Sequence, residues 1–197
     1  MSAEYESAIA AIDAANAADP TIVTVRGSSQ PLALAHGRLA ADWVGRLVDE
    51  PDEALLLAAR AHHLRRWEVP RTSYPDGKAG YLRWRRDQKQ RHAADVEQIL
   101  LDAGYDAATI ERTQALIRRE HLSTDAGAQA VEDAACLVFI ETQLASFEPR
   151  LEHDHLLDVI RRSAAKMSTR GLTAVGTIDL GPRERELLAE ALAPEAT

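Results

Sequence analysis

Residues 126–147 read AGAQAVEDAACLVFIETQLASF. The run Ala134–Ile140 at their centre is the longest apolar stretch in the chain. Leu137, Ile140 and Leu144 follow Asp133 at +4, +7 and +11, the spacing of one helix face. Ser123-Thr124-Asp125 offers a cap at the start and Pro149 a stop at the end. A helix this apolar must be surrounded by others. It is too short in apolar residues to span a membrane, which takes about 20 in succession.

Working outward, the same period recurs on both sides. Tyr5, Ile9, Ile12 and Ala15 mark a helix over 3–18, stopped by Asp19-Pro20. Thr21–Gln30 reads as a loop or one short extended piece. Pro31 is placed to open a helix to about Asp49, with Leu32, Leu39, Trp43 and Leu47 as its stripe. Further helices are expected over 53–67, Gly80–Ala103 (stopped by Gly104), Ala107–His121, 153–169 and Pro182–Leu192. Pro70, Pro75 and Gly77 make 68–79 a loop, and 172–181 reads as irregular. The expected fold is all-α: a single domain over 1–197 of about seven to eight helices, with a short disordered tail at about 193–197.

Composition agrees. The 197 residues include 36 Ala against 10 Gly and 8 Pro, with 46% apolar and 27% charged side chains. That excludes a disordered chain, a collagen-like chain and a disulfide scaffold. The start Met1-Ser2-Ala3-Glu4-Tyr5-Glu6 is acidic and lacks the apolar core of a secretory signal. Cys136 is the one cysteine and lies inside the apolar run, as a small buried hydrophobe does. A cytoplasmic protein with no membrane partner is expected, and nothing in the sequence speaks to self-association.

Charge is uneven. Arg60–Arg91 holds ten positive side chains and three negative ones, a balance of +7, so the other 165 residues carry −15 of the total −8. A basic segment in an acidic chain points to a local anion site and disfavours a general nucleic-acid surface. Trp67, Tyr74, Tyr81 and Trp84 are interleaved with the arginines and could hold a base or a sugar. Equally, Arg stems cover apolar surface on ordinary solvated helices.

Seven histidines stand at 36, 62, 63, 92, 121, 153 and 155. On a helix over 53–67, His63 shares a stripe with Leu56, Ala59 and Trp67 and faces inward. His62 faces an adjacent part of the interior. His92 lies above Val96 and Ile99 and below Gln88, Arg85 and Tyr81, a face that passes from apolar to polar as a pocket wall does. Asp133 shares the stripe of the apolar helix and needs a partner if buried. Glu132 could instead be an exposed first-turn acid favoured by the helix dipole. With His121, these groups resemble a scattered site for one divalent ion, which could activate water. His153 and His155 read as exposed first-turn residues.

The wider text is distinctive. Ala61-His62-His63-Leu64-Arg65-Arg66-Trp67-Glu68-Val69-Pro70-Arg71, then Tyr74-Pro75, Gly80-Tyr81-Leu82-Arg83-Trp84-Arg85, His92-Ala93, Gly104-Tyr105, residues 132–141 and Lys166-Met167-Ser168 follow one another. This order closely resembles the family called domain of unknown function 4202, over about residues 8–192. The resemblance implies a compact helical domain and brings no activity with it. It implies that the family-typical polar residues fall at His63, Arg65, Arg66, Arg71, Tyr74, Tyr81, Arg85, His92, Glu132 and Asp133, and gives no such weight to His36, His62 or His121. The order of histidines and a final Asp is also similar to the all-α HD superfamily of metal-dependent phosphohydrolases. There the paired motif is His-Asp, whereas here it is His62-His63, so the usual metal site would be altered.

Two readings remain open. In the first, the chain is an HD-like hydrolase of a small phosphate- or nucleotide-like anion. His63, His92, Glu132 and Asp133 do the acid–base work, or His63, His92 and Asp133 hold one divalent metal ion. Arg65, Arg66, Arg71 and Arg85 clamp the anion, and Trp67, Tyr74, Tyr81 and Trp84 line its pocket. In the second, the same groups form a non-catalytic module that binds an anionic metabolite or RNA.

Overall fold

The computed structural model describes residues 1–147 and 152–193. The expected stop at Pro149, and all of the expected tail except Ala193, lie outside these residues.

The first helix, α1 (Ala3–Asn16), starts where the Ser2 hydroxyl accepts from the Tyr5 amide. The Ser2 amide and hydroxyl also donate to Glu53, which ties the N-terminus to α3 (Glu53–Ala61). Residues 21–30, expected as a loop or a single extended piece, form an antiparallel hairpin of β1 (Ile22–Val25) and β2 (Ser28–Pro31), with Val25 opposite Ser28. Arg26 and Gly27 form its two-residue turn, both at positive φ, as a right-twisted hairpin demands. Pro31 ends the hairpin and α2 (Leu32–Leu47) follows. The buried Asp19 carboxylate secures this junction by accepting from the Thr21 and Ala33 amides.

The helix expected over 53–67 is shorter than its apolar stripe suggests. It ends at Ala61, and residues 62–76 turn through two short 3-10 segments, Arg66–Glu68 and Arg71–Ser73. Arg65 sits at φ 50°, in the left-handed region, and its amide donates to Asn16 Oδ1 at 3.1 Å. That bond from α1 breaks the helix at a point where local propensity would continue it.

Helix α4 (Gly77–Ala103) packs against α1 and α3 and ends on Gly104 at φ 95°. Gly80 lets the preceding loop close, since a Cβ there would come within 1.9 Å of the Pro75 carbonyl oxygen. Helix α5 (Ala107–Arg118) is capped by Asp106 and stops before the expected His121, because Arg119 takes the left-handed conformation at φ 61°. Helix α6 (Ala126–Phe147) spans the range expected, with Asp125 Oδ1 accepting from the Gly127 and Ala128 amides. The segment expected as one helix over 153–169 divides into α7 (His153–Ala164) and α8 (Thr169–Val175), and α9 (Pro182–Leu192) follows. The expected irregular stretch 172–181 is thus partly helical.

Nine α-helices among the described residues make the fold all-α apart from the hairpin. Helices α2, α3 and α6 pack together, α4 and α5 cover α3, and α7 packs on α9. Two apolar clusters meet on α6: Trp43, Leu57, Leu64, Val96, Leu116 and Leu137 in the larger, and Ile140, Leu144, Leu156, Ile160 and Leu187 in the smaller. None of the helices among the described residues is long and apolar enough to cross a membrane.

Candidate functional site

Four histidines converge where α2, the end of α3 and α4 meet. The His63 ring lies 4.0 Å from that of His62, 5.3 Å from His36 and 6.2 Å from His92, centroid to centroid. Because α3 ends at Ala61, His62 and His63 belong to the turn beyond it, so the helical stripe shared with Trp67 does not exist. His62 Nδ1 donates to the Ala59 carbonyl at 2.8 Å, and its Nε2 is buried without a partner. Both nitrogens of His92 are buried and unpartnered, and so is Gln88 Oε1 one turn earlier. The Leu64 carbonyl favours the protonated form of His92 without reaching hydrogen-bonding geometry. Orphaned buried polar atoms are costly, and among the described residues they are carried by His62, Gln88 and His92 and also by Arg91 and Asp95 on α4.

Burial is the main reason these imidazoles stay neutral. It takes His36 down to about 4 with help from Arg66, and His92 to about 3 with help from Arg66, Arg91 and Arg119. His62 and His63 are also held well below the ordinary value by burial, then by Arg119 beside His62 and by His62 and Arg66 beside His63. His63 and Arg66 are half-buried, whereas His36, His62 and His92 are buried.

Next to the histidines stands a charge cluster that is out of balance. Glu132 is buried at 5% exposure in the second turn of α6, so it is not the exposed acid considered above. Arg119 Nε donates to its Oε2 at 3.2 Å, and Arg85 Nη2 and Lys89 Nζ each lie 3.9 Å from a carboxylate oxygen. Burial works to raise the Glu132 pKa, but Arg119, Lys89, Arg85 and Lys166 together hold it below the ordinary value. Lys89 is taken down to about 8 by burial and then by Arg119, with Glu132 opposing. Arg66 has no carboxylate partner among the described residues. Its guanidinium stacks on Trp84, 4.4 Å from the ring centroid, and burial lowers it to about 10. Arg85 lies over Tyr81 at 5.8 Å.

The remaining expected residues have structural work. Arg71 donates to the carbonyls of Tyr74, Pro75 and Gly77 and so holds its own loop together. Tyr74 donates to Asp87, and Trp84 Nε1 to the Val69 carbonyl. The charge of Arg65 opposes the upward push of burial on the Asp95 carboxyl, and Trp67 is half-buried in the turn. Asp133 faces α8: its Oδ1 accepts from the Ser168 amide at 2.8 Å and from Gln129 at 2.9 Å, and its Oδ2 from the Ser168 hydroxyl at 2.5 Å. The set His63, His92 and Asp133 is therefore not gathered around one point. No three His, Cys, Asp or Glu side chains among the described residues are arranged to hold a metal ion. His121 is exposed in the turn after α5, and His153 and His155 are exposed as expected. Cys136 is buried, and its thiol is pushed up to about 12 by burial and by Glu132.

Sequence reasoning gave no role to Lys89, Arg119, Lys166 or His36. Lys89 was within reach, since it follows Arg85 by four residues on one helix face. Arg119 is hidden by an apolar pattern that continues to His121, beyond the end of α5 at Arg118.

The order of these residues along the chain matches the model of the domain of unknown function 4202 family over residues 6–188. The chain belongs to that family. No curated protein and no solved structure matches it. Two open clefts elsewhere, of about 370 and 430 Å³, contain none of the clustered histidines. In one, Glu53 is bonded to Ser2 and Tyr105; in the other, Arg26 is paired with Asp42 and Glu141. In this DUF4202 chain only the region around Glu132 combines surplus cations with unsatisfied buried nitrogens among the sites described.

Proposed function

We propose that this DUF4202 chain binds a small anion of the phosphate class at the Arg66, Arg85, Lys89, Arg119 and Lys166 cluster, and hydrolyses a phosphoester there. One observation carries the reading: four cations, Arg119, Lys89, Arg85 and Lys166, share a single buried carboxylate, Glu132, and a fifth, Arg66 beside Arg85, has no carboxylate partner among the described residues. A half-buried surplus of positive charge is costly unless an anion balances it, and guanidinium forks suit phosphate oxygens. Trp84 and Tyr81, stacked under Arg66 and Arg85, suit a flat group beside the phosphate. Beside the cluster, His63 is neutral and has a lone pair to offer water, which supports hydrolysis, while the burial that keeps it neutral also weakens it as a base. The structural employment of Asp133 favours the second reading, a module that binds an anionic metabolite without turning it over. The strongly acidic remainder of the chain disfavours broad RNA binding.

Calorimetric titration with inorganic phosphate, followed by a phosphoester panel, tests the reading. Arg85→Ala and Lys89→Ala should each weaken phosphate binding by about tenfold, the effect of about 1.4 kcal/mol. Phosphate binding that survives both substitutions would sink it. Elemental analysis of protein purified without a metal-affinity tag belongs beside it. A stoichiometric metal that disappears in His63→Ala would move the assignment to metal-dependent hydrolysis through His63, and turnover absent from a phosphate-binding protein would leave the binding module.

A further inference from the structure

A chain of hydrogen bonds runs from the backbone of α6 to His63 and sets its direction. The Thr142 hydroxyl lies 2.6 Å from the Val138 carbonyl oxygen and donates to it. Two oxygens at that distance without a proton between them would repel, so the proton is committed there. The same hydroxyl lies 3.1 Å from His36 Nε2 and can only accept, so His36 carries its proton on Nε2. His36 Nδ1 is then a bare lone pair, and it lies 3.1 Å from His63 Nδ1. Two ring nitrogens at 3.1 Å need one proton between them, so His63 carries its proton on Nδ1. His63 Nε2 is left as a lone pair, with no hydrogen-bond partner among the described residues, on a ring that keeps solvent-accessible surface.

We propose that Thr142 and His36 lock the tautomer of His63 so that its Nε2 is the proton acceptor of the site. The base role rests on the phosphoester reading above, whereas the tautomer lock stands on the hydrogen bonds alone. In hydrolysis, the water oxygen bonds to phosphorus as its proton passes to His63 Nε2. The ester P–O bond then breaks, and the departing oxygen takes that proton back. His63 is the catalytic residue; His36 and Thr142 position it. Neutral rings are required for this chain, and the burial of both imidazoles keeps them so.

The test is a two-bond proton–nitrogen correlation spectrum of the full chain with ¹⁵N-labelled histidine at pH 7. The expected pattern is an Nδ1–H signature for His63 and Nε2–H for His36, and the reverse pattern for His63 overturns the lock. Thr142→Val removes the acceptor at nearly constant volume. It should add Nε2–H character to His63 and lower kcat on a phosphoester about tenfold, with KM and inorganic phosphate affinity unchanged. An unaltered spectrum in Thr142→Val overturns the lock, and an altered spectrum with unchanged kcat overturns the base role. A wild-type chain with the expected spectrum but no phosphate binding upholds the lock and refutes the anion reading.

Discussion

Glu132→Gln keeps the size of the side chain and removes the charge that Arg119, Lys89, Arg85 and Lys166 face. The pair with Arg119 is buried on both sides, with side-chain exposures of 5% and 6%. Removing one partner of such a pair strands the other and costs about 3–5 kcal/mol. For a domain of this size each kcal/mol lowers Tm by about 2–4 °C, so the variant should melt roughly 10 °C below wild type. Phosphate should restore much of the loss, because an anion takes the place of the missing carboxylate. At about 100 times its Kd, a ligand returns about 2.7 kcal/mol. The assay is thermal unfolding of both proteins across a phosphate series, with chloride at matched ionic strength to subtract screening. Acid should close the gap between them. The Glu132 pKa is depressed in the fold, so its contribution is complete above the ordinary glutamate value of about 4.3 and is lost as pH falls through the lower folded value. A variant that melts within about 2 °C of wild type, with no added response to phosphate, would refute the charge argument.

Three further outcomes are expected. Asp133→Ala removes the acceptor of two Ser168 bonds and one Gln129 bond, and should cost about 3 kcal/mol in urea unfolding while leaving phosphate affinity within about twofold. Wild-type stability should fall between pH 7 and pH 5 by about 2 kcal/mol for each of His36 and His92, because the unfolded imidazole binds a proton near 6.5 while the folded ones wait until about 4 and about 3; denaturant midpoints against pH measure it, and a flat profile contradicts their burial as neutral rings. Arg71→Lys cannot reach the three carbonyls that the guanidinium fork reaches, so limited proteolysis should cut faster within residues 68–77, with phosphate affinity unchanged.

The helical class of this chain, the central place of 126–147 and the basic segment 60–91 were legible in the linear sequence. They depend on period, capping and composition, which are local properties. Gly104, Asp106, Asp125 and Pro182 act where local rules put them. The breaks at Ala61 and Arg118 were not legible, because neither has a Gly or Pro to announce it. Asn16, 49 residues away, captures the Arg65 amide, and Glu132, across the fold, draws Arg119 into a left-handed turn. The same limit applied to the acids. Glu132 and Asp133 are neighbours in sequence, about 100° apart around α6, and only the packing of α5 on one side and α8 on the other made one the counter-ion of a basic cluster and the other an anchor for Ser168. His36 carried no signal at all, since its role depends on meeting His63 and Thr142 from α2. The sequence by itself determined the helical class, most of the helix starts and stops, and which residue types are present to bind an anion. The tertiary structure decided which of them meet, because hydrogen bonds and ion pairs between distant segments outweigh the few tenths of a kcal/mol by which local preference separates one residue from the next.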